Sequence, residues 1–289
     1  MKTVVTHSGS FHADDVFAIA VFQLLLGKDS ISVIRTRADE VIAAGDYVVD
    51  IGGVYDHDTR RYDHHQPGAP VRENGIPYAG FGLVWKHYGG EIAGSPEVAA
   101  EIEEKLCWPV DLADNAIKIW EKGLYDLRPF EFDVVLKAWQ AEPSLGEDPD
   151  EHFMLAVDVA RSYLERLIIK QTIKLEQKQK AAQLYQAASD KRVIVSGEYI
   201  SRSLFIEYGD VEVVVFPRND TNDWMAVLVQ VDKDGFATKV RFPAAWAGLR
   251  DEELSTVSGF ADAVFCHKDR YMFIARSQES VLAAAQMAV

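Results

Sequence analysis

Apolar and polar positions follow different periods along the chain, and the changes of period divide it into three parts. Short β-branched runs at 2–6, 31–35 and 47–51 predict buried strands, and the first precedes the apolar helix VFAIAVFQLLL. From about residue 150, apolar positions recur at helical spacing opposite a charged face, which predicts one long helix. This helix is interpreted as a packing element, a linker between lobes or a self-association surface of a homo-oligomer.

Beyond residue 190 the pattern returns to β-rich segments. The runs VIVSG, SLFIEY, VEVVVFP, WMAVLVQV and ATKVRFP are predicted as strands, and DEELSTVSG and ESVLAAAQMA as helices. Strands mixed with helices in this way predict a smaller α/β domain. We therefore expect an α/β protein with a domain at 1–150, a helical linker at 151–190 and a second domain at 191–289.

Composition narrows the class of protein. The 289 residues are 48% apolar, which is enough for the cores of two lobes. The formal charge of −15 counts against a protein that coats duplex nucleic acid, although bound metal would neutralise part of it. Cys107 and Cys266 lie far apart, so neither a disulfide framework nor a thiolate metal site is expected. The N-terminus lacks a signal-peptide pattern and no apolar run is long enough to span a bilayer, so we expect a cytoplasmic protein without a membrane partner.

Histidines and aspartates are concentrated in THSGSFHADD at 6–15 and YDHDTRRYDHHQ at 55–66, with Asp50 closing the apolar run YVVDI between them. Carboxylates packed together repel one another, and burying them without a partner costs several kcal/mol each. A divalent cation removes that conflict. Carboxylates with a minority of imidazoles suit Mn²⁺ or Mg²⁺ and also accept Co²⁺, Zn²⁺ or Fe²⁺, and the lack of thiolates argues against structural zinc.

Each of these residues also has an ordinary structural interpretation. Asp14 or Asp15 fits the N-cap of the first helix, and Asp50 fits a strand-terminal residue that meets a hydrogen-bond donor. Asp111 and Asp114, three residues apart on a predicted helix, fit a pair of solvated acids on one face. A cap does not explain the two neighbouring histidines, so we favour a metal site.

The segments THSGSFHADD, VVDIGG, YDHHQ and DLADN, in this order, resemble the motifs of the DHH phosphoesterase superfamily. They are most similar to its MYG branch (melanocyte proliferating gene), whose members are metal-dependent hydrolases or exonucleases. Further matches are GLVWKHYG, FPAAWAGLRDEELSTVSGF and AVFCHKDRYMFIA, so the likeness covers almost the whole chain. The resemblance implies a DHH-type N-terminal domain with a mainly parallel sheet flanked by helices, a connecting helix and a C-terminal substrate domain.

The resemblance also implies roles for individual residues. The ligands of two divalent cations, with Mn²⁺ as the first choice, would be His7, His12, Asp14, Asp50, His64 and Asp114. Asp50 would bridge them, His65 would contact the scissile phosphate or the leaving group, and Asp63 would orient a neighbouring histidine. Asp114 matches the fourth motif, although Ala116 stands where the family commonly has glycine and Asp111 competes with Asp114 for the role. The substrate-binding residues would be Arg241, His267 and Arg276, although the family's usual glycine pair is replaced here by Ile274-Ala275.

Three functions remain as alternatives. The first is an exonuclease or oligonucleotide phosphodiesterase that binds single-stranded RNA or DNA ends between the lobes, with Trp224 or Trp246 as a stacking platform. The second is a hydrolase of pyrophosphate or a cyclic dinucleotide, which needs only a closed basic pocket. The third is a non-catalytic, metal-dependent binding protein or scaffold.

Overall fold

The predicted α/β class is confirmed by a computed structural model that describes residues 1–121, 129–233 and 235–289. The chain forms two compact units, 1–173 and 174–289. The helix predicted from about residue 150 is present as Pro149–Ala187 and contributes residues to both units. The three-part division at residues 150 and 190 stays a prediction.

A five-stranded sheet forms the centre of the first unit, in the order β2-β1-β3-β5-β4. Its strands are β1 (Lys2–Thr6), β2 (Ile31–Arg35), β3 (Tyr47–Val49), β4 (Tyr55–Asp56) and β5 (Arg61–Tyr62). β1 pairs in parallel with β2 and β3, and β3 with β5, whereas β4 and β5 form an antiparallel hairpin. The mainly parallel sheet agrees with the expectation, and it brings the carboxyl ends of β1, β3 and β5 to one edge.

Helices surround this sheet. They are α1 (Ala13–Leu26), α2 (Asp39–Ala44), α3 (Gly80–Ala93), α4 (Pro96–Ile102), α5 (Trp108–Asp114), α6 (Phe132–Lys137) and α7 (Pro149–Ala187). A π-helical segment, Glu103–Cys107, joins α4 to α5. α1 is apolar around its whole circumference and is buried from Ala13 to Gln23, as expected for a helix enclosed by neighbours. The loops predicted for 125–150 lie partly outside the described residues.

The second unit contains another five-stranded sheet, in the order β6-β7-β8-β10-β9. Its strands are β6 (Val193–Val195), β7 (Val213–Pro217), β8 (Trp224–Leu228), β9 (Ala263–Cys266) and β10 (Met272–Ala275). One face packs against α9 (Gln278–Ala288), with α8 (Asp251–Ser258) at the edge of the same core. The other face packs against the last turns of α7 and a 3₁₀ helix, Arg202–Tyr208.

Two of the strand predictions in this unit are wrong. SLFIEY belongs to the 3₁₀ helix Arg202–Tyr208, and ATKVRFP forms only an isolated bridge at Thr238 within the described residues. Short apolar runs do not distinguish strand from helix by their period, and here Phe205 reaches the core from a helical turn. β9 and β10 went unpredicted because the polar turn at 267–270 interrupts their apolar pattern.

Within the described part of the chain, no helix combines the length and the apolar character that crossing a bilayer requires.

Candidate metal centre

The predicted ligands follow the ends of neighbouring strands. His7 comes directly after β1, Asp50 after β3, and Asp63 and His64 after β5. Asp50 adopts the left-handed conformation with φ 57°, which turns the chain away from the sheet edge immediately after the strand. Parallel pairing of these strands therefore gathers residues that are more than 50 positions apart into one place.

Asp50 lies between two histidines. Its Oδ2 is 3.2 Å from Nε2 of His7, and its Oδ1 is 3.2 Å from Nε2 of His64. His64 Nε2 is also 3.1 Å from Oδ2 of Asp114, while His7 Nε2 is 3.1 Å from Oδ2 of Asp15. The two oxygens of Asp50 thus face two different sets of candidate ligand atoms.

The atoms form three groups with metal-ligand spacing. In each group, one ligand atom from every residue lies within 4.8 Å of the others. The groups are His7, Asp15 and Asp50; Asp50, His64 and His65; and His12, Asp14 and Asp114. The structure therefore brings all six predicted ligands together in the first unit.

Several of these polar atoms are buried without a hydrogen bond. They are Oδ1 of Asp14, Oδ2 of Asp15, Oδ1 of Asp50 and Nε2 of His64. Leaving a buried polar atom unsatisfied costs about 1–3 kcal/mol, so four in one place need an explanation. Their chemistry, carboxylate oxygens with imidazole nitrogens, fits a hard or borderline divalent cation, which would satisfy all of them at once.

Other contacts orient the ligand atoms. Nδ1 of His7 donates to the carbonyl of Ser8 at 3.2 Å, which fixes the ring so that Nε2 faces the carboxylates. Oδ2 of Asp14 accepts from the backbone N–H of Gly80, at the first residue of α3, at 3.1 Å. The remaining oxygen of Asp14 is consequently directed at the centre.

Asp63 stabilises the turn that carries both neighbouring histidines. Its Oδ1 accepts from the backbone N–H groups of His64 and His65 at 2.7 and 3.2 Å and from Nδ1 of His65 at 2.8 Å. Its Oδ2 accepts from the N–H of Gly53 at 2.5 Å. Asp63 is 1% exposed, whereas the side chain of His65 is 62% exposed, so a buried anchor holds an accessible imidazole.

Asp15 is a site residue that the sequence interpretation did not include among the ligands. The N-cap of α1 is His12, so the prediction of Asp14 or Asp15 as the N-cap is wrong. Asp15 is instead the third residue of the helix, where its Oδ1 accepts from the backbone N–H of His12 at 3.0 Å while its Oδ2 faces His7. One carboxylate therefore serves the helix terminus and the centre together. The adjacent pair Asp14-Asp15 was the available signal, because a single acid suffices for a cap.

Asp111 and Asp114 occupy different environments although both lie on α5. Asp111 is fully buried, pairs with Nη2 of Arg72 at 2.7 Å and accepts from the N–H of Gly82 at 3.1 Å. Asp114 instead faces His64, and its Oδ1 is 3.5 Å from Nδ1 of His12. Only Asp114 belongs to a group with ligand spacing in the described residues, so the geometry favours it for the fourth motif.

The electrostatics of the centre are those of charges forced together. Burial lowers the pKa of His64, but Asp114 and Asp50 outweigh burial and raise it to about 10; Asp15 and Asp50 do the same for His7. Burial raises the pKa of Asp50, but His64 and His7 dominate and bring it to about 2. Burial and the nearby Asp50 and Asp114 raise the pKa of Asp14 well above its usual value. Without a cation, the imidazoles therefore hold protons that a metal ion must displace.

The predicted substrate-binding residues lie in the second unit and do not form one group. His267 accepts from the N–H of Asp269 at 3.1 Å, and Arg241 donates to the carbonyl of the same residue at 2.6 Å. Arg276 follows the opposite end of the four-residue strand β10, which at the usual rise per residue lies about 13 Å from that turn. Of the two suggested stacking residues, Trp246 is buried in the core at 2% exposure and cannot receive a base.

Comparisons with known proteins place the chain in a family. The profile of the family described as "Uncharacterised protein family (UPF0160)", MYG1_exonuc, matches residues 3–289. A MYG1 protein of Caenorhabditis elegans is 29% identical over 98% of this chain and 94% of its own length. The MYG1 exonuclease of Bos taurus is 28% identical over 97% and 83%, and a MYG1 protein of Chlamydia trachomatis is 28% identical over 96% and 93%. Solved structures gave no significant match. Because the profile spans nearly the whole sequence, the MYG resemblance is confirmed and the chain belongs to the MYG1_exonuc family.

Proposed function

We propose that this protein is a metal-dependent phosphodiesterase that acts as an exonuclease on single-stranded RNA or DNA ends or on short oligonucleotides. The observation that carries the proposal is the position of Asp50, whose two oxygens each face a different histidine at 3.2 Å. Relatives named MYG1 exonuclease, similar over nearly the full chain, support a nuclease rather than a scaffold.

The proposed cofactor is a pair of divalent cations, Mn²⁺ first, with Mg²⁺, Co²⁺ or Zn²⁺ as alternatives. When bound, such a pair acidifies water and neutralises charge on the phosphate under attack. His7, His12, Asp14, Asp50, His64 and Asp114 would hold it, with Asp15 as an additional ligand beside His7. The buried atoms without hydrogen bonds in this set are the physical support for that assignment.

His65 is the proposed catalytic residue. Asp63 occupies Nδ1 of His65, so Nε2 is the nitrogen left to contact the scissile phosphate or to donate a proton to the leaving oxygen. Because Asp63 is buried and holds the backbone of the same turn, it orients this imidazole without touching substrate. Asp63 is thus a positioning residue.

Phosphates that are not being cleaved would be held in the second unit. Arg241 and His267 meet at the turn before β10 and are proposed to bind one such phosphate. Arg276, at the far end of that strand, would contact another part of a longer substrate.

The test is an assay of the metal-loaded protein on labelled short RNA, short DNA, a cyclic dinucleotide and pyrophosphate. We expect the protein to shorten RNA or DNA one nucleotide at a time. Asp50→Asn should lose turnover, whereas the matched control Asp58→Asn, in the exposed hairpin tip, should keep it. Hydrolysis of pyrophosphate alone would favour the small-substrate alternative. Full activity of Asp50→Asn would defeat the proposed centre, and no hydrolysis of any substrate would favour the scaffold.

A further inference from the structure

The second unit contains a cavity of about 500 Å³ on the face of its sheet that α9 does not cover. The last turns of α7 and the segment 200–208 pack on this face over Ile194, Val214 and Phe216. Towards β8 and β10 the same face remains accessible, where Met225 and Met272 are only partly buried. The cavity is therefore an uncovered part of an apolar sheet face, with a volume in the range of small-ligand sites.

Aromatic rings line this cavity. Tyr199 is 49% exposed and meets Phe216 edge to face, with ring centroids 5.3 Å apart and planes at 86°. Tyr271 lies on the β10 side and is itself in contact with His267, at 4.3 Å between ring centroids. Two tyrosine rings with partial exposure beside a flexible methionine floor suit a flat, polarisable ligand.

A half-buried guanidinium supplies the cavity with positive charge. Arg202 donates from Nη1 to the carbonyl of Leu228 at 2.8 Å, and its guanidinium carbon lies 5.0 Å from the ring centroid of Tyr271. In the described part of the chain no aspartate or glutamate forms an ion pair with Arg202. Arg218 at the rim differs, because Asp220 binds it through two hydrogen bonds.

Arg202 combines a half-buried position in the cavity with the lack of an acidic partner among the described residues. Burial lowers the pKa of Arg202, which reflects the cost of keeping this cation in a partly desolvated site. The donors that Leu228 does not occupy are free to bind an anion, and a guanidinium binds phosphate oxygens well. The rim adds polar groups from Ser201, Ser203 and Asn219.

We infer that this cavity binds one nucleotide, with its base against Tyr199, the more exposed of the two rings, and its phosphate on Arg202. The inference rests on the proposed nuclease function for its biological role, since the nucleotide would be a part of the substrate strand that is not cleaved. Stacking on tyrosine does not select among bases, so the site accepts purines and pyrimidines alike.

The experiment measures binding of UMP, AMP, uridine and inorganic phosphate to the full chain in EDTA, so that hydrolysis plays no part. Calorimetry is combined with saturation-transfer NMR on the base protons. We expect both nucleotides to bind with base protons in contact with the protein, and uridine and phosphate each to bind about tenfold or more weakly. No binding of either nucleotide at millimolar concentration would overturn the inference.

Variants separate the two contacts. Arg202→Gln is expected to weaken the binding of UMP about tenfold or more and to leave the binding of uridine unchanged, because only the phosphate contact is lost. Tyr199→Ala is expected to weaken the binding of both UMP and uridine about fivefold or more. Because Tyr199 is exposed, this substitution does not threaten folding. Arg192→Gln, whose arginine pairs with Asp190 outside the cavity, is the control and leaves binding unchanged. Equal effects of Arg202→Gln on UMP and uridine, or unaltered binding in Tyr199→Ala, would contradict the inference.

Failure of this site and failure of the nuclease proposal have different signatures. Nucleotide binding that responds to these variants, without hydrolysis by the Mn²⁺-loaded protein, would refute the nuclease and keep the nucleotide site. Hydrolysis that persists while wild-type protein binds no nucleotide in EDTA would refute the site and keep the nuclease.

Discussion

Asp50 and His64 face each other at 3.2 Å, Oδ1 to Nε2, although both atoms are buried and neither forms a hydrogen bond. Two polar atoms at that distance without hydrogen-bond geometry have the arrangement expected of the proposed metal ligands. The second oxygen of Asp50 lies at the same distance, 3.2 Å, from Nε2 of His7. This doubled relationship is the basis of the predictions below.

Replacing His65 by Gln is expected to reduce kcat about 10²- to 10⁴-fold, the usual contribution of a general acid or base. Metal affinity changes little, because the side chain is 62% exposed and all of the proposed ligands remain. Kinetics and calorimetric Mn²⁺ titration measure the two quantities. His152→Gln, at a histidine on α7 outside the three ligand groups, is the control. A His65→Gln enzyme with normal kcat would remove His65 from catalysis.

The two acids of α5 are expected to fail in different ways. Asp114→Asn weakens metal binding, because Asp114 faces His12 and His64. Asp111→Asn retains metal but loses about 1–3 kcal/mol of unfolding free energy, because it removes the fully buried partner of Arg72 and leaves that guanidinium paired with Glu103 alone. Burial raises the pKa of Asp111 to about 7 despite Arg72, so urea unfolding is measured at pH 8, where the carboxyl is ionised.

If instead Asp111→Asn weakened metal binding and Asp114→Asn reduced stability, the fourth motif would be assigned to Asp111. Loss of stability in both variants with unchanged metal affinity would exclude either acid as a ligand.

The metal-free protein is expected to lose stability as pH rises. His7 and His64 have pKa values raised to about 10 in the folded chain, from 6.5, so their contribution is complete below pH 6.5 and disappears as pH passes 10. Bound Mn²⁺ replaces those protons, so the loaded protein does not show this decline. Thermal unfolding in EDTA and in excess Mn²⁺ over pH 6.5–10 measures the difference, and parallel curves would contradict the charge assignment.

The convergence of the candidate ligands in the first unit could be predicted from local sequence. His7 and Asp50 directly follow strands whose β-branched runs are visible, His64 lies two residues after the hairpin strand Arg61–Tyr62, and parallel strands place their ends together. Asp15 was missed because its cap role accounts for it locally, and its second contact depends on where His7 lies.

The second unit was less predictable because its short apolar runs depend on tertiary packing. Leu204, Phe205 and Ile206 form a 3₁₀ turn that places Phe205 in the core, although their sequence suits a strand. The sequence around Trp246 does not indicate that the ring packs among Phe242, Phe260 and Phe273. Arg202 became recognisable as a binding residue only when the structure showed it beside Tyr271 without a carboxylate partner in the described chain.

Electron paramagnetic resonance of the protein loaded with two equivalents of Mn²⁺ tests the shared position of Asp50 most directly. Since one carboxylate contributes an oxygen to each side of the centre, we expect the spectrum of a spin-coupled manganese pair, converted to uncoupled or weakly bound manganese in Asp50→Asn. Two independent six-line signals in the wild-type protein, unchanged by that substitution, would contradict a bridged two-metal centre.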